Sequence, residues 1–288
     1  MDVFLPQSLQ EALEMKADHP ETVPIAGGTD LMVELNFDRR RPERMMDLSR
    51  LPELREWRRE DGRLFLGAGV TYTRIIRELP EFGPLVEASR TVGSLQIRNR
   101  ATVGGNLGTA SPAGDALPVL AAYDAEVILA RAGGKTRTLP FARFMTGPKK
   151  TGIDAAELIL GARWRVTRGP GSFSKVGPRN AMVIAVASVC LVLDAESRQV
   201  RTALGSVGPT ILRAAEAEAF AAEALSTAGW WEDHAAPVAA GVTTEFGERV
   251  ADAARPIDDV RGTARYRRHV CAVLARRALT WALADRSS

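Results

Sequence analysis

Cysteine is scarce in this chain: Cys190 and Cys271 are the only two among 288 residues. Two distant thiols make no CxxC motif and no disulfide framework, and they fall short of the four ligands an iron–sulfur cluster takes. Histidine is nearly as rare. His19, His234 and His269 lie far apart without metal-ligand spacing, so no metal site is expected in this chain. No apolar run is long: the longest, 181–193, stops short of the roughly 20 residues that cross a bilayer, which excludes membrane insertion by a helix. The start, Met1-Asp2-Val3-Phe4-Leu5-Pro6, lacks the basic and apolar regions of a signal peptide, so a reduced, cytoplasmic protein is expected. Charge of one sign is also missing. Lys plus Arg number 38 against 35 Asp plus Glu, a net +3, which argues against a dedicated nucleic-acid binder.

What is present is an ordinary globular composition, 45% apolar and 25% charged, enough to bury a sizeable core. At about 150 residues per domain the length fits two domains. Ser8 followed by Glu11 has capping-box spacing and predicts a helix over 8–18. Val23-Pro24-Ile25 reads as a short strand broken by Ala26-Gly27-Gly28. Thr29 or Asp30 then caps a helix carrying Leu31, Met32 and Leu35. Strands are predicted at 44–48, 53–59 and 63–67, and a helix from Thr71 that Pro80 ends. Residues 101–118 are the densest run of turn formers and read as a loop leading to a helix near Ala116. Beyond it come strands at 125–131 and 136–139, joined across Gly133-Gly134, and at 157–166. After Thr167-Arg168-Gly169-Pro170-Gly171, strands near 172–177, 183–194 and 198–207 precede helices at 212–225, 243–254 and 264–284. The mixture predicts two α+β domains, 1–170 and 171–288.

Two segments could carry chemistry. In Ala26-Gly27-Gly28-Thr29-Asp30, paired glycines follow a strand and permit close ligand approach, and amides at a helix start suit a phosphate. Read alone, the segment is more often an ordinary strand-to-helix turn. In the second segment Gly104, Gly105, Gly108 and Gly114 are interleaved with Thr102, Asn106, Thr109, Ser111 and Asp115. Amides and short hydroxyls at that density suit a pyrophosphate and a ribose, although Asp115 can equally cap the next helix. Two such loops in one domain point toward a dinucleotide. Gly67-Ala68-Gly69 is not a dinucleotide fingerprint, because Tyr72 holds the third glycine position. Gly134-Lys135-Thr136 lacks the earlier glycine of a phosphate loop, where Leu129 stands. Lys175, after Phe173 on a strand, reads by itself as a solvated lysine. Arg261, Arg265, Arg267, Arg268, Arg276 and Arg277 read as a solvated helix face, with an acidic partner as the alternative.

Longer blocks carry a resemblance. Ile25-Ala26-Gly27-Gly28-Thr29-Asp30-Leu31, Thr102-Val103-Gly104-Gly105-Asn106 and Ala110-Ser111-Pro112-Ala113-Gly114-Asp115 resemble the FAD-binding, or medium, subunit of the xanthine dehydrogenase family of molybdenum hydroxylases. So do Lys175-Val176-Gly177-Pro178-Arg179-Asn180-Ala181-Met182, 203–210 and 259–268, in the family's order across nearly the whole chain. The resemblance implies an FAD-binding domain of the vanillyl-alcohol-oxidase (PCMH) type, built of two subdomains, followed by a CO-dehydrogenase-flavoprotein-like α+β domain. It implies that Ile25, Ala26, Gly27, Gly28, Thr29, Asp30 and Leu31 wrap the FAD pyrophosphate, and that Thr102, Gly104, Gly105 and Asn106 form a second phosphate loop. Thr109, Ser111 and Asp115 continue around the FAD, while Ile159 and Lys175 approach the isoalloxazine ring. By the same likeness, a large molybdenum-cofactor subunit oxidises a purine such as xanthine. A small 2Fe-2S subunit relays the electrons to FAD, NAD+ accepts them, and the complex is a dimer of heterotrimers. The chain departs from many relatives at Val183 and Ile184, where those carry an acid beside the flavin. A carbon monoxide dehydrogenase or an aromatic or N-heterocycle hydroxylase is the alternative within the family, and a non-catalytic scaffold is the alternative outside it.

Overall fold

The computed structural model describes residues 1–285, and the chain divides into two units that it enters alternately. The first unit comprises Met1–Glu78, Gly93–Ser111 and Asp124–Arg165. The second comprises Leu79–Val92, Pro112–Tyr123 and Val166 onward. Leu79–Val92 and Pro112–Tyr123 therefore belong to the second unit although the chain returns to the first after each.

The first unit opens with a parallel three-stranded sheet in the order Asp2–Phe4, Arg44–Asp47, Val23–Ile25. Its first helix, Leu9–Asp18, starts as the capping box predicts, with Ser8 Oγ accepting the Glu11 amide at 3.2 Å. Ala12 and Leu13 of that helix pack on Met46, Leu48, Leu51 and Leu54. An antiparallel five-stranded sheet follows, ordered Trp57–Glu60, Arg63–Gly67, Leu158–Arg165, Glu126–Arg131, Lys135–Pro140. Leu64, Leu66, Val127, Leu129, Ala162 and Trp164 alternate onto its buried face. The hairpin turns through Ala132-Gly133-Gly134 between Arg131 and Lys135, with φ of +77° and +69° at the two glycines, a left-handed region that glycine enters without strain.

The structure corrects the sequence reading in several places. The expected strand at 53–59 is a 3₁₀ turn, Pro52–Arg55, followed by a shorter strand. Helices Gly83–Thr91 and Leu95–Arg100 stand where no element was expected. The turn-former run holds a helix, Val103–Thr109, before the expected one at Ala116–Ala122. Its glycines disfavour helix, but Val103 and Leu107, spaced by four, are fully buried and anchor one face.

In the second unit an antiparallel sheet runs Gly171–Val176, Ala187–Asp194, Gln199–Gly205, Leu212–Arg213. Every residue of Ala187–Asp194 is buried, because helices cover both of its faces. Val189, Leu191 and Leu193 pack with Phe246, Leu274 and Leu279 of helices Val242–Ala253 and Ala264–Ala284. On the other face the helices Gly83–Thr91 and Ala116–Ala122 approach closely: a Cβ on Gly171 would meet Pro84, and one on Gly205 would meet Pro118.

Candidate functional site

The site is built in the first unit where strand Val23–Ile25 gives way to helix Leu31–Asn36. Gly28 turns the chain at φ +75°, a conformation in which a side chain is strained. Gly27 is fixed for a different reason: a Cβ there would lie 1.9 Å from the Arg100 carbonyl oxygen, so only glycine lets this loop press on the start of the second. Among the described residues the amides of Gly27, Gly28, Thr29 and Asp30 have no acceptor. Gly27, Gly28 and Thr29 are half-buried and Asp30 is exposed, and four successive unpartnered amides at the mouth of a turn are a ready receptor for phosphate oxygens.

The second loop is arranged otherwise than expected. Val103 donates to the Val70 carbonyl, Gly104 to that of Ala68, and Gly105 to Thr102 Oγ1 at 3.0 Å. Its first-turn amides are thus already used in holding helix Val103–Thr109 against the five-stranded sheet. A Cβ on Gly104 would meet Ala68 at 2.5 Å, so this glycine serves packing. Gly105 and Gly108 differ. A Cβ on Gly105 would touch only Thr102 Oγ1, at 3.3 Å, and one on Gly108 only Ile159, at 3.9 Å, so both present open backbone. Asn106 Oδ1 is buried without a partner, an acceptor that a ligand N–H or hydroxyl would satisfy. Two contacts link expected residues of the first unit: Gly27 lies on the Arg100 carbonyl just ahead of the second loop, and Gly108 faces Ile159. FAD fits this set, since the first loop offers donors for its pyrophosphate and Gly105 and Gly108 allow close approach.

Asp115 and Lys175 lie in the second unit. Lys175 Nζ donates to Asp115 Oδ2 at 2.6 Å, to the Thr91 carbonyl at 2.9 Å and to the Val183 carbonyl at 3.1 Å. Both side chains are only 7% exposed, so Lys175 is no solvated lysine. Burial pushes the Asp115 carboxyl above its usual range, and Lys175 and the Thr91 hydroxyl pull it back. Asp115 stands at the start of helix Ala116–Ala122 but makes no cap bond with its side chain, and its second oxygen, Oδ1, is buried without a partner. Thr91, which contacts both members of the pair, ends a helix that sequence reasoning did not place. No local signal marks it.

The features set aside in the sequence stay outside the site. Gly67 and Gly69 pack against the Leu54 carbonyl, and Gly134-Lys135-Thr136 turns the hairpin. A cavity of about 380 Å³ in the first unit, lined by Arg58, Phe65, Ile128 and Arg163 among others, contains none of the expected residues. Glu60 and Glu126 hold its arginines. Among the described residues no group of His, Cys, Asp or Glu could hold a metal ion, and no helix is long and apolar enough to cross a membrane.

Residues 1–163 match the family described as the FAD binding domain in molybdopterin dehydrogenase. Residues 172–282 match the CO dehydrogenase flavoprotein C-terminal domain. The chain is 30% identical over 279 residues to the glyceraldehyde dehydrogenase medium chain of Sulfolobus acidocaldarius, covering 94% of each. It is 28% identical to a putative xanthine dehydrogenase FAD-binding subunit of Escherichia coli, covering 96% of this chain and 94% of that one. Among solved structures, carbon monoxide dehydrogenase from Hydrogenophaga pseudoflava aligns with a TM-score of 0.84 and 25% identity over 99% of this chain and 97% of its own. Quinoline 2-oxidoreductase from Pseudomonas putida 86 shares the fold, with a TM-score of 0.85 and 23% identity over 99% and 97% of the two chains.

Proposed function

The chain belongs to the FAD-binding medium subunits of the molybdenum hydroxylase family, and from that premise we propose that it carries electrons from a partner's 2Fe-2S clusters through FAD to NAD+, in a complex that oxidises xanthine. The observation that carries the reading is the run of unpartnered amides from Gly27 to Asp30. FAD, when bound, supplies the exchange between one-electron carriers and a two-electron acceptor.

The chain's own residues bind and orient. Ile25, Ala26, Gly27, Gly28, Thr29, Asp30 and Leu31 hold the pyrophosphate by backbone donation, with Gly28 setting the turn. Thr102 caps the second loop, Gly104 docks it on the sheet, and Gly105 and Asn106 offer open backbone and a buried acceptor. Thr109 and Ser111 extend this surface, and Ile159 closes it with an apolar side chain. Asp115 and Lys175 keep their expected place near the flavin in this reading, acting as one fixed pair. The molybdenum cofactor and the 2Fe-2S clusters belong to a large and a small partner subunit, in a cytoplasmic dimer of heterotrimers.

Val183 and Ile184 supply no carboxylate at the turn where many relatives carry one. That supports a second reading of the acceptor, as a quinone, a ferredoxin or oxygen in place of NAD+. The first test is the visible spectrum of the purified chain with FAD, without oxygen, before and after NADH. Bleaching of bound flavin is expected if NAD+ is the acceptor. Flavin that stays bound and oxidised selects the second reading, and a chain that binds no flavin defeats both.

A further inference from the structure

The segment Ile257–Arg268 is built with more hydrogen bonds than its own packing explains. Asp259 and Gly262 bond reciprocally through their backbones, both at 3.2 Å. Asp259 also accepts from the Arg261 guanidinium at 2.7 Å and from Arg267 at 2.6 Å, and these contacts hold its carboxyl well below the usual range. Arg267 is 2% exposed and ties the turn to the sheet by donating to the Val186 and Ser206 carbonyls at 2.9 and 2.6 Å. The Asp258 carboxylate accepts the Ala264 amide, and Thr263 caps helix Ala264–Ala284 through the Tyr266 amide. What this scaffold holds in place is Val260, which is fully exposed. Ile257 and Tyr266 flank it, exposed as well. An ordered turn that presents apolar side chains to water gains nothing for its own chain, whereas a turn that binds another surface avoids the ordering cost on association.

The charges around it point the same way. Arg265 and Arg268 are exposed and, among the described residues, have no acidic partner. They occupy the first turns of helix Ala264–Ala284, which hold no acidic residue. Cations there face the positive end of the helix dipole, an arrangement that costs stability. Arg276, three turns further along the same helix, is exposed on the same side as Arg265. Arg267, placed by the sequence among solvated arginines, is the buried anchor of the turn.

We propose that the turn around Val260 and the first turns of helix Ala264–Ala284 form a docking surface for an acidic face of another subunit of the complex. Val260, Ile257 and Tyr266 fill an apolar depression, and Arg265 and Arg268 meet carboxylates on its rim. An apolar knob inside a basic rim has the anatomy of a protein interface, whereas a nucleic-acid site would extend a basic stripe over a strongly positive chain. The inference rests on reading the chain as a subunit.

The test is the affinity of the full FAD-loaded chain for the subcomplex of its molybdenum and iron–sulfur subunits, at low and high salt. Val260→Asp, and separately Arg265→Glu with Arg268→Glu, are expected to weaken binding roughly ten-fold or more, with flavin content and circular dichroism unchanged. Arg39→Glu with Arg40→Glu, the same charge change on the first unit, is expected to leave affinity as it was. Undiminished binding by both sets of variants overturns the docking surface while leaving the subunit reading intact. An equal loss from the Arg39 and Arg40 control overturns it too, because bulk charge would then be the cause. So does binding to a DNA duplex or an anionic vesicle that these variants abolish while subcomplex binding persists. A wild-type chain that holds FAD but binds no subcomplex defeats the subunit reading itself.

Discussion

Lys175 and Asp115 neutralise one another at 2.6 Å where both are almost sealed from water. Removing one partner of such a pair strands the other charge, at a cost of about 3–5 kcal/mol, whereas replacing both with apolar groups is often close to neutral. Lys175→Ala is therefore expected to lower unfolding free energy by about that amount. The double variant Lys175→Met, Asp115→Leu should recover most of the loss. Urea unfolding of the three proteins measures this, and a fully stable Lys175→Ala would show that the pair is not buried as described.

The two kinds of loop glycine separate fold from ligand. Gly27→Ala places a methyl on the Arg100 carbonyl, so it should lower the melting temperature whether or not flavin is present. The Cβ added by Gly105→Val meets only Thr102 Oγ1 inside the chain, at 3.3 Å, so the variant should leave circular dichroism near wild type and reduce flavin retained per chain. Flavin absorbance against protein concentration decides. Normal FAD occupancy in Gly105→Val would remove the second loop from the site.

Thr102→Ala deletes the cap on the Gly105 amide and is expected to cost about 1 kcal/mol. Because that cap positions the open backbone at Gly105, FAD affinity should fall with it. Thr102→Ser, which keeps the hydroxyl, should restore both quantities in a flavin titration.

Arg74, Arg77 and Trp57 all donate to Glu78 and hold its carboxyl at about 2. A folded-state value below the unfolded one adds stability that is complete above the ordinary carboxylate range and is lost as pH falls toward about 2. Glu78→Gln should be less stable than wild type near neutrality by about 1–2 kcal/mol. The gap should close over that acid window, and unfolding curves at several pH values would reveal it.

Cys190 and Cys271 are fully buried, and burial pushes the Cys271 thiol up to about 12 and Cys190 higher still. Neither is expected to react with a thiol reagent in the native protein, and both should react once it is denatured.

Much of this was legible because the signals were local. The Ser8 cap, the Gly133-Gly134 hairpin and the apolar strand ending at Asp194 each follow from a few adjacent residues. The Gly27-Gly28 turn between a strand and a helix was legible for the same reason, whereas its proposed place against a cofactor rests on the longer blocks that carry the family resemblance. What escaped depends on distant contacts. Helix Val103–Thr109 forms against propensity because Val103 and Leu107 find a core and Ala68 needs a glycine opposite. Lys175 looks like a surface residue until Asp115, sixty positions earlier, is folded beneath it. Arg267 is indistinguishable in the sequence from its exposed neighbours, because the Val186 and Ser206 carbonyls that bury it are remote in the chain.

The alternating path of the chain between its two units also sets a timetable for synthesis. Helices Gly83–Thr91 and Ala116–Ala122 leave the ribosome before any strand of the sheet they cover has been made. The first unit waits as well, because Leu158–Arg165 is the middle strand of its five and is the last to emerge. A nascent chain stalled before that strand would expose two unpaired sheet edges and the apolar surfaces of two helices at once, the surfaces on which aggregation begins. The first unit can close only once Arg165 has emerged, past the midpoint of the polypeptide, and the second must wait for the C-terminal segment that follows.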